Sequence, residues 1–280
     1  MDDPGPAPGS DSAPAPGTAP APGTDLCRGV LHPARAAERI SVERLAPAPA
    51  VARFVEFYWL VRWDLTGRPP YEQKVLAHPN VHLVFEAPRA RVYGVDRSLF
   101  VRRLEGAGHV LGVKFRPGAF RPLTGHPVSA LADRSVPAAD YFGPEVDRCN
   151  ALLLAEPGAG PADAFLLSRL PAPDPVAEEV AAMVERITGS PDLCRVDDLA
   201  RELGLTVRRL QRLFAEYVGA SPKWVLRRAR LHEAAERAAA GGGLDLAALA
   251  VELGYADQAH LTRDFTATVG IPPARYASST

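Results

Sequence analysis

The chain has 280 residues, 47% of them apolar, and a formal net charge of −1. That length supports two domains of ordinary size, each with its own core. The near-neutral balance excludes global charge as the basis of any partnership, so binding has to rest on charge placed locally.

Cys27, Cys149 and Cys194 lie far apart and form no CxxC pair, which argues against a disulfide framework or a cysteine-rich zinc site and fits a reducing compartment. No apolar run reaches the roughly 18 residues of a membrane span. Asp2 and Asp3 with no apolar stretch behind them do not read as a signal peptide. A cytoplasmic protein with no membrane association is expected.

Residues 1–24 hold seven Pro, five Ala and four Gly. Such a segment buries too little apolar surface to offset its conformational entropy and is expected to be a disordered tail. Residues 25–170 read as a β-rich domain. In "FYWLVRWDL", Phe57, Trp59, Val61, Trp63 and Leu65 alternate with Tyr58, Leu60, Arg62 and Asp64, the period of a strand with one apolar and one mixed face. "VHLVFE", "RVYGV", "FVRRLEG" and "HVLGVKF" are further strand-like runs separated by Pro and Gly. From about Phe142 the spacing of Val146, Cys149, Leu152 and Leu153 becomes helical. A small barrel or sandwich with packed helices is expected.

Residues 171–175, "PAPDP", are the expected linker. Beyond it, over residues 176–280, every pattern is helical. Val176, Val180, Met183, Val184 and Ile187 share one helix face. Then the chain repeats itself: "LARELGLTVRRLQRLF" at 199–214 returns as "LAVELGYADQAHLTRDF" at 249–265, and Gly219 and Pro222 return as Gly270 and Pro273. Each copy reads as a helix, a tight turn and a second helix. Leu199, Leu203, Leu205, Leu210, Leu213 and Phe214 form the expected core of the first, and Leu249, Leu253, Tyr255, Leu261 and Phe265 that of the second. Asp197 and Asp198 suit a helix start, Gly204 a helix end, and Thr206 and Asp257 are expected caps of the second helices.

On the first of these, Arg208, Gln211 and Arg212 stand at i, i+3, i+4 and share a face away from the core, with Arg209 beside them. Gln258, Ala259, Thr262 and Arg263 project from the other. Arg pairs bidentately with guanine, Gln with adenine, and a methyl group packs on thymine. The segment 223–240 between the copies is a good helix, about 27 Å long at 1.5 Å per residue, ended by three glycines at 241–243. Residues 207–230 carry seven basic side chains and one acid, Glu216, the kind of strip that phosphate neutralisation needs. Double-stranded DNA is the expected partner.

The stretch 196–277, with "LARELGLTVRRLQRLFAEYVGASP" and "LAVELGYADQAHLTRDFTATVGIPPARY", resembles the DNA-binding domain of the AraC/XylS family of bacterial transcription regulators. The resemblance implies a seven-helix domain with recognition helices in successive major grooves, contacts from Arg208, Gln211, Arg212, Gln258, Thr262 and Arg263, and a sequence-specific activator working with RNA polymerase. Leu261, Ala259 and Asp264 depart from the family pattern, and Asp264 puts an acid near the expected DNA face. The N-terminal runs "FYWLVRWDL", "VLAHPNVHLVFE", "VYGV" and "GVKFRPGAFRPL" resemble a less characterised domain attached to such regulators, which implies a sensory role. The overall expectation is an α+β chain: a β-rich barrel or sandwich, then an all-α domain of two helix-turn-helix units joined by a long helix.

Within the N-terminal part, His78, His82, Glu86 and His109 fit no specific metal spacing, and no metal site is expected. Trp59, Trp63, Tyr93 and Arg116 are candidates to line a small-molecule pocket. No cofactor is called for, and cofactor-binding residues stay unassigned. An effector and a homodimer are both compatible with this arrangement, though one chain already presents two readers. No nucleophile–base pair, P-loop or nucleotide fingerprint is present, and no catalytic residue or enzyme activity is expected. Two alternatives stand beside the regulator: an interaction module with a degenerate helical domain that no longer binds DNA, and a DNA-repair enzyme, which needs clustered cysteines where Cys27 stands alone.

Overall fold

The computed structural model describes residues 29–190, 193–240 and 244–279. The Pro/Ala-rich segment 1–24, Cys27 and the glycines at 241–243 lie outside the described residues.

The N-terminal half is a β-structure with helices on one side. A short helix α1 (Pro33–Ala37) leads into β1 (Ile40–Leu45), β2 (Val55–Asp64), β3 (Tyr71–Leu76), β4 (His82–Phe85), β5 (Arg91–Tyr93), β6 (Leu99–Leu104), β7 (Ala107–Phe115) and, after α2 (Phe120–Thr124) and a 3-10 turn (Val128–Leu131), β8 (Ser135–Pro137). Six strands form one antiparallel sheet in the order β1-β2-β7-β4-β5-β8, and β3 pairs with β6 in a second. The short helix α3 (Ala139–Phe142), α4 (Glu145–Ala155) and α5 (Ala159–Leu167) follow.

Every strand-like run of the sequence carries a strand, but the alternation in β2 resolves differently from its hydropathy. The face carrying Tyr58 and Leu60 is the deeply buried one, in a core with Val146, Cys149 and Leu153 of α4 and Phe165 of α5. Tyr58 is apolar enough to sit there because its hydroxyl donates to Asp163 at 2.6 Å. Trp59 and Trp63 point the other way and remain partly exposed. Their indoles lie over β7, opposite Gly112 and Gly108 in the strand register; a Cβ on Gly112 would come within 1.9 Å of the Trp59 ring. On α4, Val146, Cys149 and Leu153 face inward as their spacing implies, while Leu152 is 60% exposed, because i+3 and i+4 from Cys149 straddle the edge of the buried stripe.

The C-terminal part contains seven described helices: α6 (Pro175–Thr188), α7 (Val196–Glu202), α8 (Val207–Tyr217), α9 (Pro222–Ala239), α10 (Leu246–Glu252), α11 (Gln258–Val269) and α12 (Pro273–Ala277). Two cores form. One gathers Val180, Met183, Val184 and Ile187 of α6 with Leu199, Leu210, Phe214, Val225 and Leu226. The other gathers Leu231, Ala234, Ala235 and Ala238 of α9 with Leu249, Leu253, Tyr255, Leu261, Phe265 and Tyr276. The connector α9 therefore gives its first half to one unit and its second half to the other.

The two halves of the chain share surface. Val95 belongs to the first helical core, and Leu31 and Leu76 to the second. His232 of α9 stacks on His78 with ring centroids 3.9 Å apart. Arg121 of α2 bonds Glu216 of α8 at 2.7 Å, and Tyr217 donates to Asp174 at 3.0 Å.

Candidate nucleic-acid interface

α8 and α11 are built alike. Thr206 caps α8 by accepting from the backbone N–H of Arg209, and Asp257 caps α11 by accepting from that of His260. A side-chain oxygen at that place satisfies a donor the helix start leaves orphaned. Both preceding turns run through a glycine with positive φ, Gly204 at 64° and Gly254 at 67°. Leu210 and Phe214 on one helix, Leu261 and Phe265 on the other, are fully buried. Since these positions face inward, the opposite side of each helix is left to solvent.

That solvent side carries the residues singled out in the sequence. Arg208, Arg209, Gln211 and Arg212 on α8 are all exposed, as are Gln258, Ala259 and Arg263 on α11, with Thr262 partly so. The polar side chains among them make no hydrogen bond or ion pair to any described residue. Thr206, Arg208, Arg209 and Arg212 border an open hollow of about 300 Å³.

Elsewhere in the C-terminal part most arginines are engaged, and the basic strip of residues 207–230 divides accordingly. Arg227 donates from Nε to Asp264 at 2.6 Å. Arg228 is 2% exposed and donates to the carbonyls of Arg97 and Ser98; burial and the Arg227 charge pull its guanidinium down to about 10. Arg230 reaches the carbonyls of Leu253 and Gly254 and lies over the Tyr255 ring. Of the seven basic residues, Arg208, Arg209, Arg212 and Lys223 are exposed and have no partner among the described residues, so the three on the body of α9 hold the fold instead.

Asp264 does not stand on the exposed face of α11, where the sequence pattern places an acid. Its side chain is 13% exposed, turned toward α9, where it accepts from Arg227 and from the Tyr255 hydroxyl at 3.0 Å. One position along the helix is about 100° of rotation, which separates Arg263 outward from Asp264 inward. His260 was not singled out in the sequence, yet it is exposed and occupies the place of Arg209 once the two caps are aligned; the cap pair Thr206 and Asp257 was the available signal.

The N-terminal candidates do not converge. Trp59 Nε1 donates to His82 Nδ1 at 3.1 Å, Trp63 Nε1 to the Glu105 carbonyl at 3.1 Å, and Arg116 Nε to the Ala52 carbonyl at 2.8 Å. Tyr93 donates to Glu86 at 2.6 Å, and Arg102 bonds the same buried carboxylate at 2.7 Å. His109 sits against the Leu153 carbonyl at 3.2 Å. Among the described residues no three His, Cys, Asp or Glu side chains are grouped to hold a metal, and no helix is long and apolar enough to cross a membrane.

Comparison with known proteins adds to this geometry. A helix-turn-helix domain matches residues 199–279, and a domain of unknown function (DUF6597) matches residues 43–137. No curated protein matches the chain. Among solved structures it is similar to the C-terminal domain of AraT, a response regulator from Geobacillus stearothermophilus, at 22% identity over 38% of this chain and 87% of that one, with a TM-score of 0.34. It is similar to ToxT from Vibrio cholerae at 10% identity over 86% and 98% of the two chains, TM-score 0.36. It is also similar to unsaturated fatty acid bound ToxT from Vibrio cholerae strain SCE256 at 8% identity over 85% and 91%, TM-score 0.36. Residues 199–279 thus form a helix-turn-helix domain, doubled on paired caps and cores, of the kind that binds DNA.

Proposed function

We propose that the chain is a sequence-specific regulator that lays α8 and α11 into successive major grooves of one duplex. Arg208, Arg209, Gln211 and Arg212 supply the contacts of the first reader, and Gln258, Ala259, Thr262 and Arg263 those of the second. The observation that carries this reading is selective: on these two faces the arginines are exposed and unpaired, while those on the body of α9 are bound within the protein. An arginine held by a carboxylate or a carbonyl is a structural part; one left free on a helix whose far side is core is available to a base edge or a phosphate. A connector about 27 Å long matches the scale of one DNA turn.

Residues 25–170 serve as the effector and regulatory domain, with 171–175 as the link to residues 176–280. Its contacts to α8 through Arg121 and Glu216, to α9 through His78 and His232, and to α12, where the His32 backbone N–H donates to the Tyr276 hydroxyl at 3.4 Å, support that role, since an effector there acts on the elements that carry the readers. Activation, with RNA polymerase as partner, is the mode the family implies. The test is binding of the intact chain to fragmented genomic DNA, followed by sequencing of what is retained. Enrichment of discrete sites over bulk DNA supports the reading, and retention without preference favours a non-specific module.

A further inference from the structure

The two readers have one scaffold and unequal chemistry. Aligned on caps and cores, Arg208, Arg209, Gln211 and Arg212 of α8 correspond to Ala259, His260, Thr262 and Arg263 of α11. α8 thus presents three unpaired guanidinium groups and α11 presents one. Of the arginines around the second unit, three are already spent: Arg227 on Asp264, Arg230 on the carbonyls that end α10, and Arg237 on Glu233 and Glu252; Arg275 of α12 is exposed but lies outside α11. At the start of α11 the exposed side chains are Ala256, Asp257, Gln258, Ala259 and His260: two methyl groups, an amide, an acid committed to the cap, and an imidazole where α8 has the Arg209 guanidinium.

We propose that the DNA this chain recognises is asymmetric: a guanine-containing half-site under α8, which also carries most of the phosphate neutralisation, and an A·T-rich half-site under α11. Guanidinium groups pair bidentately with guanine O6 and N7, so Arg208 and Arg212 select guanines, and Arg209 beside the open hollow neutralises phosphate. Gln258 pairs with adenine, and the Ala259 methyl packs on thymine. Arg263 admits at most one guanine to the second half. The inference rests on the DNA-binding reading above and names the substrate of that same interface.

Selection of the intact chain on randomised duplexes, at fixed salt, reads the asymmetry directly. Two half-sites are expected with centres about 10 base pairs apart, one guanine-containing and one A·T-rich. Exchange variants then assign each half to its helix. Arg208→Ala with Arg209→His should cut the guanine requirement of one half to at most the one guanine that Arg212 reads, and flatten the slope of log affinity against log salt by about 1, at roughly 0.9 for the phosphate that Arg209 no longer neutralises. Ala259→Arg with His260→Arg should add guanine to the other half and steepen the slope by a similar amount. All four positions are exposed, and circular dichroism verifies that the variants keep their helices. Half-sites of equal composition, or exchanges that leave both composition and slope unchanged, overturn the inference while leaving DNA binding intact. A selection that enriches no duplex overturns the DNA-binding reading and the asymmetry with it.

Discussion

Arg228, in the middle of the helix that joins the two readers, donates from Nη2 to the carbonyl of Arg97 at 2.8 Å, across 131 residues of sequence. A cation buried in this way is held by backbone oxygens, and the oxygens belong to the other domain. Cutting the chain at 171–175 removes them, together with the apolar partners Leu31, Leu76 and Val95. The fragment 176–280 is therefore expected to bind DNA at low salt, yet to melt below the intact chain. Calorimetry of both, with a gel shift of the fragment, checks this; a fragment that melts at or above the intact chain defeats it.

Arg212 and Arg263 hold equivalent places, each two residues before a buried Phe. Replacing either with Ala is expected to cost about 1–3 kcal/mol on a specific duplex and less on random DNA. The losses should be nearly additive, because the two side chains lie in separate units. Titrations of single and double variants on both duplexes at one salt concentration decide it. Equal losses on specific and random DNA would make these residues phosphate clamps.

Asp264→Ala removes an acceptor from Arg227 and Tyr255 at once and leaves a partly buried guanidinium without its carboxylate. Hydrogen bonds to charged groups are worth about 1.5–3 kcal/mol, so destabilisation of about 2 kcal/mol is expected. A denaturant melt measures it. Were Asp264 instead a repulsive acid at the DNA surface, the substitution would raise DNA affinity and leave stability alone.

Gly219 and Gly270 end α8 and α11 with positive φ, 84° and 89°. Alanine at either place carries the left-handed penalty of roughly 1–2 kcal/mol. Only at Gly219 does the new Cβ also meet the N-terminal half, 2.8 Å from Val128 Cγ1 and 2.9 Å from its carbonyl oxygen; at Gly270 nothing lies within 4 Å. Gly219→Ala is expected to cost about 1 kcal/mol more than Gly270→Ala. A double-mutant cycle with Val128→Ala should show coupling at 219 and none at 270.

The pH dependence follows from histidines held neutral. Burial, and then the Lys114 charge, pull His82 down to about 3; burial and the Arg35 charge lower His32 as well, against an opposing hydrogen bond from Ser279. Both return to about 6.5 in the unfolded chain. Below that value the unfolded state takes up protons the native state refuses, so stability is full above about pH 6.5 and falls as the pH drops toward 3. Each group contributes a slope of up to about 1.4 kcal/mol per pH unit. His82→Gln, which keeps an acceptor for Trp59, should flatten the decline between pH 5 and 7 in chemical melts. An unchanged slope would falsify the assignment of His82.

What was legible in the sequence is what the chain decides locally. The caps Thr206 and Asp257, the turn at Gly204 and the inward Leu and Phe positions follow from helical period and from side chains that reach their own backbone. The strand "FYWLVRWDL" was legible as a strand. Its buried face was not, since Tyr58 beats Trp59 to the core only because Asp163 waits there, 105 residues on. The same holds for charge. Counting basic residues along 207–230 treats Arg212 and Arg228 alike, and one ends exposed while the other ends walled in by carbonyls. Partners that far along the chain leave no periodic trace, which is also why Asp264 looked like a surface acid.

Half of α9 is buried, nine of its 18 residues, and its sides belong to three different neighbours: Val225 and Leu226 to the first unit, Leu231, Ala234 and Ala238 to the second, Arg228 and His232 to the β-domain. Inserting or deleting one residue in such a helix turns everything beyond it by about 100° and shifts it by about 1.5 Å, taking at least two of those packings out of register together. A linker of loose coil would let a lineage try operators with different gaps between their halves. This one gives no such play: on the proposed reading the gap between half-sites is set by the packing of α9, and a change of operator that the fold accommodates is a change of bases within each half at a fixed distance.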